Sequence, residues 1–266
     1  MAADSGGYWA GRTADAAQIA EWVERFHRDG YLFLTDFLPP DTVAELRGDL
    51  SRALAEHRDQ TGGPLELRTR MFEVSRANLR LFDLEPIVSF AEALIAPDCH
   101  VVHNNSFETP PGKGITTWHQ DDAPHYLVTH GEPPANVRLP VLLFIANYYL
   151  TDVTEVEHGA TEVIPGSHRF GAAPPPVMEG TRWQEQVVPC LGPAGSVVLF
   201  NNQVWHRGGP NRSDRTRAIT QVSYARRLVG HKYFPFMNYI MPEHVYAGAG
   251  PRLRRLLGFL PTGAYG

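Results

Sequence analysis

Ser196-Val197-Val198-Leu199-Phe200 is an unbroken apolar run of strand length, and Asn201-Asn202-Gln203-Val204-Trp205-His206 follows it without a gap. β-Branched and aromatic residues bounded by Gly195 and an asparagine pair read as a buried strand, with His206 near the start of the next one. Working outward, short apolar runs recur near 100–107, 137–150, 160–164, 186–190 and 217–225, separated by Gly, Pro, Asn and Asp. Strands at that spacing, with no helical stretch between them, predict a β-sandwich or barrel rather than alternating strand and helix units. Upstream of Pro97 the periodicity changes. Ile19, Trp22, Val23 and Phe26 recur at helical spacing, as do Val43, Leu46, Leu50 and Leu54, and then Ile87, Phe90, Ala91, Leu94 and Ile95. Tyr31-Leu32-Phe33-Leu34, after Gly30, is too short for a helix and reads as a strand. The expected class is mainly β with flanking helices, in one domain: a mostly helical part over 1–97, a β core over 98–228 and a tail or flap over 229–266.

With 43% hydrophobic and 20% charged residues, the 266-residue chain has ample material for a core. Basic residues number 24 and acidic ones 29, so the net charge is −5 and no cationic footprint for a nucleic acid is present. No apolar run reaches the roughly 18 residues of a membrane span, and Met1 to Gly11 lacks a basic segment followed by an apolar one. Cys99 and Cys190 form neither a disulfide framework nor a CxxC pair and read as small buried apolar residues. Together these features predict a cytoplasmic protein without a nucleic-acid or membrane partner.

Chemistry concentrates in Thr116-Thr117-Trp118-His119-Gln120-Asp121-Asp122. On an extended backbone His119 and Asp121 point to one face and Asp122 to the other. Alone the pair says little, but His206 supplies a second histidine from another strand. Two histidines and one carboxylate form the facial triad that leaves three positions open on non-haem Fe(II), as oxygen chemistry requires. Eleven residues after His206, Arg217 opens the strand Arg217-Ala218-Ile219-Thr220-Gln221-Val222-Ser223-Tyr224. A buried arginine needs a partner, and its planar fork suits a dicarboxylic cosubstrate. Arg215 is the alternative if the register is displaced by two.

These motifs resemble the phytanoyl-CoA dioxygenase (PhyH) family of Fe(II)- and 2-oxoglutarate-dependent oxygenases over nearly the whole chain. Gly30-Tyr31-Leu32-Phe33-Leu34 through Phe37-Leu38-Pro39-Pro40 is similar to the family's opening, and Trp118-His119-Gln120-Asp121 to its first metal motif. Asp152 with Gly159 through His168, and Gly195 through Phe200 with Trp205-His206 and Pro210-Asn211-Arg212-Ser213, resemble its later segments. The resemblance implies a double-stranded β-helix, a cupin-like jelly roll, and an enzyme using Fe(II), 2-oxoglutarate and O2. It implies that His119, Asp121 and His206 hold the iron and that Arg217 holds the distal carboxylate of 2-oxoglutarate. It puts Asn147, within Val141–Leu150, where some relatives contact the cosubstrate, and reads His168 as part of a structural turn. Asp121 speaks against the halogenating variants, which lack that carboxylate.

The reaction expected is hydroxylation of a small-molecule C–H with release of succinate and CO2. Desaturation, cyclisation or epimerisation at the same iron, a silent small-molecule-binding β-core protein, and a zinc hydrolase are the competing readings; zinc alone would leave Arg217 without a role. Glu108 would repel a carboxylate and so is expected to face substrate or solvent. Candidates for substrate contact are His125-Tyr126, Arg68, Arg70 and the aromatic stretch Tyr233-Phe234-Pro235-Phe236-Met237-Asn238-Tyr239, read as a flap over a neutral or partly apolar molecule.

Overall fold

Gly30 sets the first chain reversal. Helix α1 (Ala16–Asp29) begins at Asp15, whose carboxylate accepts the Gln18 N–H at 2.8 Å, and ends at Gly30, whose φ of 80° lets its N–H reach the Phe26 carbonyl. A Cβ there would also lie 2.4 Å from the His168 ring. The chain therefore turns directly into β1 (Tyr31–Leu34), and the Gly30 carbonyl accepts the Asn201 N–H at 2.8 Å. Losing the Asp15 cap in Asp15→Ala is expected to cost about 1 kcal/mol, read as a lower urea midpoint with an unchanged slope.

The computed structural model describes residues 7–133, 135–233 and 238–259. After β1 come α2 (Pro40–Glu56), β2 (Glu66–Thr69), α3 (Arg76–Arg80), α4 (Ile87–Leu94) and the long β3 (His100–Thr109). Then follow β4 (Leu143–Tyr149), β5 (Thr161–Val163), β6 (Val188–Cys190), β7 (Val197–Asn201), β8 (His206–Gly208) and β9 (Arg217–Ala225), with α5 (Glu243–Tyr246) and α6 (Pro251–Leu256) behind them.

Six strands form an antiparallel sheet in the order β1-β7-β4-β9-β3-β2, and three form a second in the order β6-β5-β8. This is the jelly roll. Period-two alternation gives the large sheet two different faces. Phe144, Ala146 and Tyr148 on β4, with Val222 and Tyr224 on β9, join the helical layer. There Phe144 meets Phe26, Phe90 and Tyr224 at ring distances of 5.8, 5.5 and 5.2 Å. The intervening Ile145, Tyr149, Val198, Phe200 and Ile219 face the small sheet and enclose the space between the two sheets.

Two expectations are corrected. The mostly helical part also supplies both edge strands of the large sheet, the expected β1 and an unexpected β2, whose Glu66-Leu67-Arg68-Thr69 carries too few apolar residues to signal a strand. Conversely, 137–142 is not strand: β4 starts at Leu143, after Arg138 and Pro140, and proline cannot donate to a ladder. Cys99 and Cys190 are buried and unbonded, and burial pushes the Cys190 thiol up to about 12. Among the described residues no helix is long and apolar enough to cross a membrane.

Candidate active site

His206 opens β8, and the segment carrying His119 lies against it as an antiparallel bridge. The His119 N–H donates to the His206 carbonyl at 3.0 Å and the His206 N–H returns the bond at 2.9 Å. Two residues on, the Asp121 N–H donates to the Asn202 carbonyl at 2.9 Å, tying the carboxylate-bearing residue to the turn that leads into β8. Backbone pairing thus brings the three side chains to one point: the ligand-type atoms of His119, Asp121 and His206 all lie within 4.8 Å of one another. Asp121 Oδ1 is 3.8 Å from His119 Nε2 and 3.6 Å from His206 Nε2.

The imidazoles are oriented from behind. Nδ1 of His119 lies 2.9 Å from the Thr117 carbonyl, and Nδ1 of His206 2.9 Å from that of Val204. Each carbonyl can only accept, so Nδ1 carries the proton and the Nε2 lone pair is left for a ligand. Burial and the charge of His206 lower the pKa of His119. Burial also opposes charge on His206 and Asp121, but their attraction prevails, holding the imidazole above its usual range and the carboxyl below its own. Lys232 and His119 add to the depression of Asp121. Two directed imidazole nitrogens and an ionised carboxylate on one side of a common point fit a divalent ion with open positions.

Arg217 occupies the far end of the same interior face. It is 4% exposed, and its guanidinium donates to the Gly159 carbonyl and, at 3.3 Å, to the Thr109 hydroxyl. Nε has no partner, and the ring of Phe107 lies 6.0 Å away. Burial lowers its pKa to about 10, which leaves it charged at neutral pH. No ion pair with a carboxylate forms among the described residues, where a carbonyl and a hydroxyl are the acceptors this buried cation finds. Gly159 turns at φ 76°, and a Cβ there would lie 3.1 Å from the Gly209 carbonyl, so the carbonyl that orients Arg217 depends on glycine. Arg215 sits exposed at the surface, 2.7 and 3.0 Å from the ring nitrogens of His158.

Asn147 lies on the same interior face, its Oδ1 accepting from Gln221 Nε2 at 2.8 Å. Three further interior residues escape sequence reasoning: His103, Asn105 and Thr109, spaced by twos along β3 with Phe107 and opposite Ser223, Gln221 and Arg217 on β9. Asn105 Oδ1 is buried without a partner. Glu108 falls on the opposite face of β3 from Thr109 and Arg217.

The outlying candidates do not join this constellation. His125 and Tyr126 line a cavity of about 210 Å³ with Leu139, Pro140 and Leu142. Arg68 lies 3.4 Å from Asp59, and Arg70 lies over the Tyr239 ring at 5.7 Å. Tyr233 is buried against Phe72 and Tyr239 donates to Glu73, while Phe234–Met237 of the expected flap lies outside the described residues. His168 is buried, with Nε2 3.1 Å from the His27 carbonyl.

A jelly roll enclosing two directed histidines, a carboxylate and an uncompensated arginine belongs with the 2-oxoglutarate-dependent dioxygenases, oxidoreductases that use iron, 2-oxoglutarate and O2. The chain belongs to the phytanoyl-CoA dioxygenase (PhyH) family, whose model matches residues 26–219. It is 26% identical over 263 residues to dioxygenase trt7 of Aspergillus terreus, covering 93% of this chain and 85% of that one. The fold is similar to HygX from Streptomyces hygroscopicus, determined with nickel, 2-oxoglutarate and hygromycin B, at a TM-score of 0.64 and 15% identity over 80% of this chain and 89% of that one. It is also similar to the epimerase SnoN in complex with Fe3+, α-ketoglutarate and nogalamycin RO, at a TM-score of 0.62 and 21% identity over 89% and 94% of the two chains.

Proposed function

We propose that this dioxygenase hydroxylates an unactivated C–H of a small molecule of the secondary-metabolite type, with His119, Asp121 and His206 holding iron and Arg217 and Asn147 holding 2-oxoglutarate. One observation carries the reading: the three converging ligand atoms and the buried guanidinium, without a counter-ion among the described residues, share one interior face. Iron bound there supplies the oxidation, in which O2 and 2-oxoglutarate become succinate and CO2 and one oxygen atom enters the substrate C–H.

The chain's own residues prepare the site. Carbonyls of Thr117 and Val204 hold both imidazoles with Nε2 toward the common point, so no ring rotation is needed before the metal is bound. Gly159 and Thr109 clamp Arg217 with its remaining donors available to a dicarboxylate, and a bidentate pair gives direction as well as charge. Ile145, Phe200, Phe107 and Ile219 form an apolar wall between the two ends, which strengthens each electrostatic contact inside it. Proteins of similar fold hold hygromycin B and nogalamycin RO, which favours a natural-product substrate.

Protein supplied with Fe(II), 2-oxoglutarate and O2 is expected to form succinate slowly alone and faster with a true substrate, whose product gains one atom of 18O from 18O2. No iron-dependent succinate would support the silent binding protein instead. A product two hydrogens lighter and free of 18O would move the reaction to desaturation or cyclisation, and an isomer of unchanged mass to epimerisation.

A further inference from the structure

His231, Lys232 and Tyr233 run beside the upper half of β3, where the Lys232 N–H donates to the Val102 carbonyl at 2.9 Å. His231 and Tyr233 stack on one side at a ring distance of 5.2 Å, His231 against His100 and Tyr233 against Phe72 in the helical-layer core. In an extended segment the residue between two that share a side points the other way. Lys232 is therefore directed toward the interior face, where His103 stands two positions above Asn105 on β3. Electrostatics agrees: the Lys232 charge acts on His103. The ammonium is exposed and, among the described residues, forms no ion pair. Mainly through burial, His103 is lowered to about 4 and is neutral at physiological pH, offering one donor and one acceptor beside the lysine.

We propose that Lys232 and His103 form a substrate subsite at the mouth above His119, Asp121 and His206, and that the substrate is an organic acid whose carboxylate or comparably acidic hydroxyl binds there. The proposal rests on the oxygenase reading, since it takes this mouth as the place where substrate meets the iron. It replaces the neutral or partly apolar molecule expected from the net charge of −5 and the aromatic stretch Tyr233–Tyr239, because a whole-chain sum says nothing about the sign at one opening. The backbone bond to β3 fixes where the Lys232 side chain starts, beside the row that carries His103. The cation also complements Arg217: one secures the cosubstrate at the closed end, the other orients substrate at the open end, and neither needs to discriminate between them once 2-oxoglutarate is seated.

The test compares 2-naphthoate with 2-naphthamide, matched in shape and differing in charge. Binding is measured by calorimetry and ligand-observed NMR on protein holding Mn(II) and saturating 2-oxoglutarate. Wild type is expected to bind the acid about tenfold more tightly than the amide, as a hydrogen bond to a charged group warrants, with the probe's protons broadened by the nearby Mn(II). Lys232→Gln should abolish that preference without weakening Mn(II) or 2-oxoglutarate binding, and Lys232→Arg should keep most of it. Equal binding of acid and amide by wild type, an undiminished preference in Lys232→Gln, or no broadening overturns the subsite. Failure of Mn(II) to bind wild type overturns the metal reading instead, and the preference is then read on metal-free protein, where it stands or falls by the same comparison.

Discussion

Asp121→Asn is expected to lose more than about 100-fold in Fe(II) affinity, since changing even an outer-shell partner of a metal ligand typically costs 10–100-fold. The variant keeps the shape of the side chain and the Asp121 N–H bond to Asn202, so it removes charge and leaves the turn in place. Two imidazoles would then hold the ion alone. One effect opposes the loss: without the Asp121 charge, burial lowers the pKa of His206 again and protons compete less for its Nε2. Titrating at alkaline pH, where that competition is weak in both proteins, isolates the missing ligand. His206→Ala should be at least as damaging to metal binding, but it also removes a ring packed 4.6 Å from Phe200 between the sheets, so its thermal unfolding must be followed in parallel. Wild-type Fe(II) affinity in Asp121→Asn would remove Asp121 from the metal reading. Retained iron-dependent succinate formation in a folded His206→Ala protein would do the same for His206.

The β core was legible because its apolar runs are short, dense and separated by turn-formers. Val197–Phe200 and Leu143–Tyr149 are buried on both faces, and such strands read as continuous hydrophobic stretches. The metal constellation was legible for a different reason: His119 and Asp121 are two apart on an extended segment, and His206 follows a strand that announces itself. What stayed hidden is the pocket wall between iron and arginine. His103, Asn105 and Thr109 alternate with Asn104, Ser106 and Glu108, so β3 is polar on both faces and carries no hydrophobic period to show which row points inward. The structure resolves this through pairing, because Thr109 lies opposite Arg217 and Asn105 opposite Gln221. Asn104 instead turns to the helical side, where its Oδ1 accepts the Phe72 N–H at 2.8 Å. Edge strand β2 was missed for a related reason: one apolar residue in four gives no alternation to detect.

Arg217→Ala is expected to weaken 2-oxoglutarate binding by about 3–5 kcal/mol, the usual cost of removing one partner of a buried charge pair. At roughly 1.4 kcal/mol per tenfold change, that loss would push the dissociation constant up by about two to three and a half orders of magnitude. The magnitude follows from position. A surface arginine such as Arg215 would contribute about 1 kcal/mol or less, because water screens its pair. Arg217 is buried beside Phe107, so a carboxylate deprived of it has neither a cation nor solvent. Free protein should respond far less. Without ligand, the guanidinium is an uncompensated buried charge held by a carbonyl and a hydroxyl, so the alanine variant should lose less thermal stability than wild type gains from saturating 2-oxoglutarate. Arg217→Lys restores the charge but not the planar fork, and the Gly159 carbonyl and Thr109 hydroxyl were arranged for two separate nitrogens; rescue should therefore be partial. Isothermal titration with Mn(II) in place of iron measures all three proteins without turnover. Unchanged 2-oxoglutarate affinity in Arg217→Ala, with Mn(II) binding intact, would transfer the carboxylate to another cation, and Arg215→Ala would be the next variant to titrate.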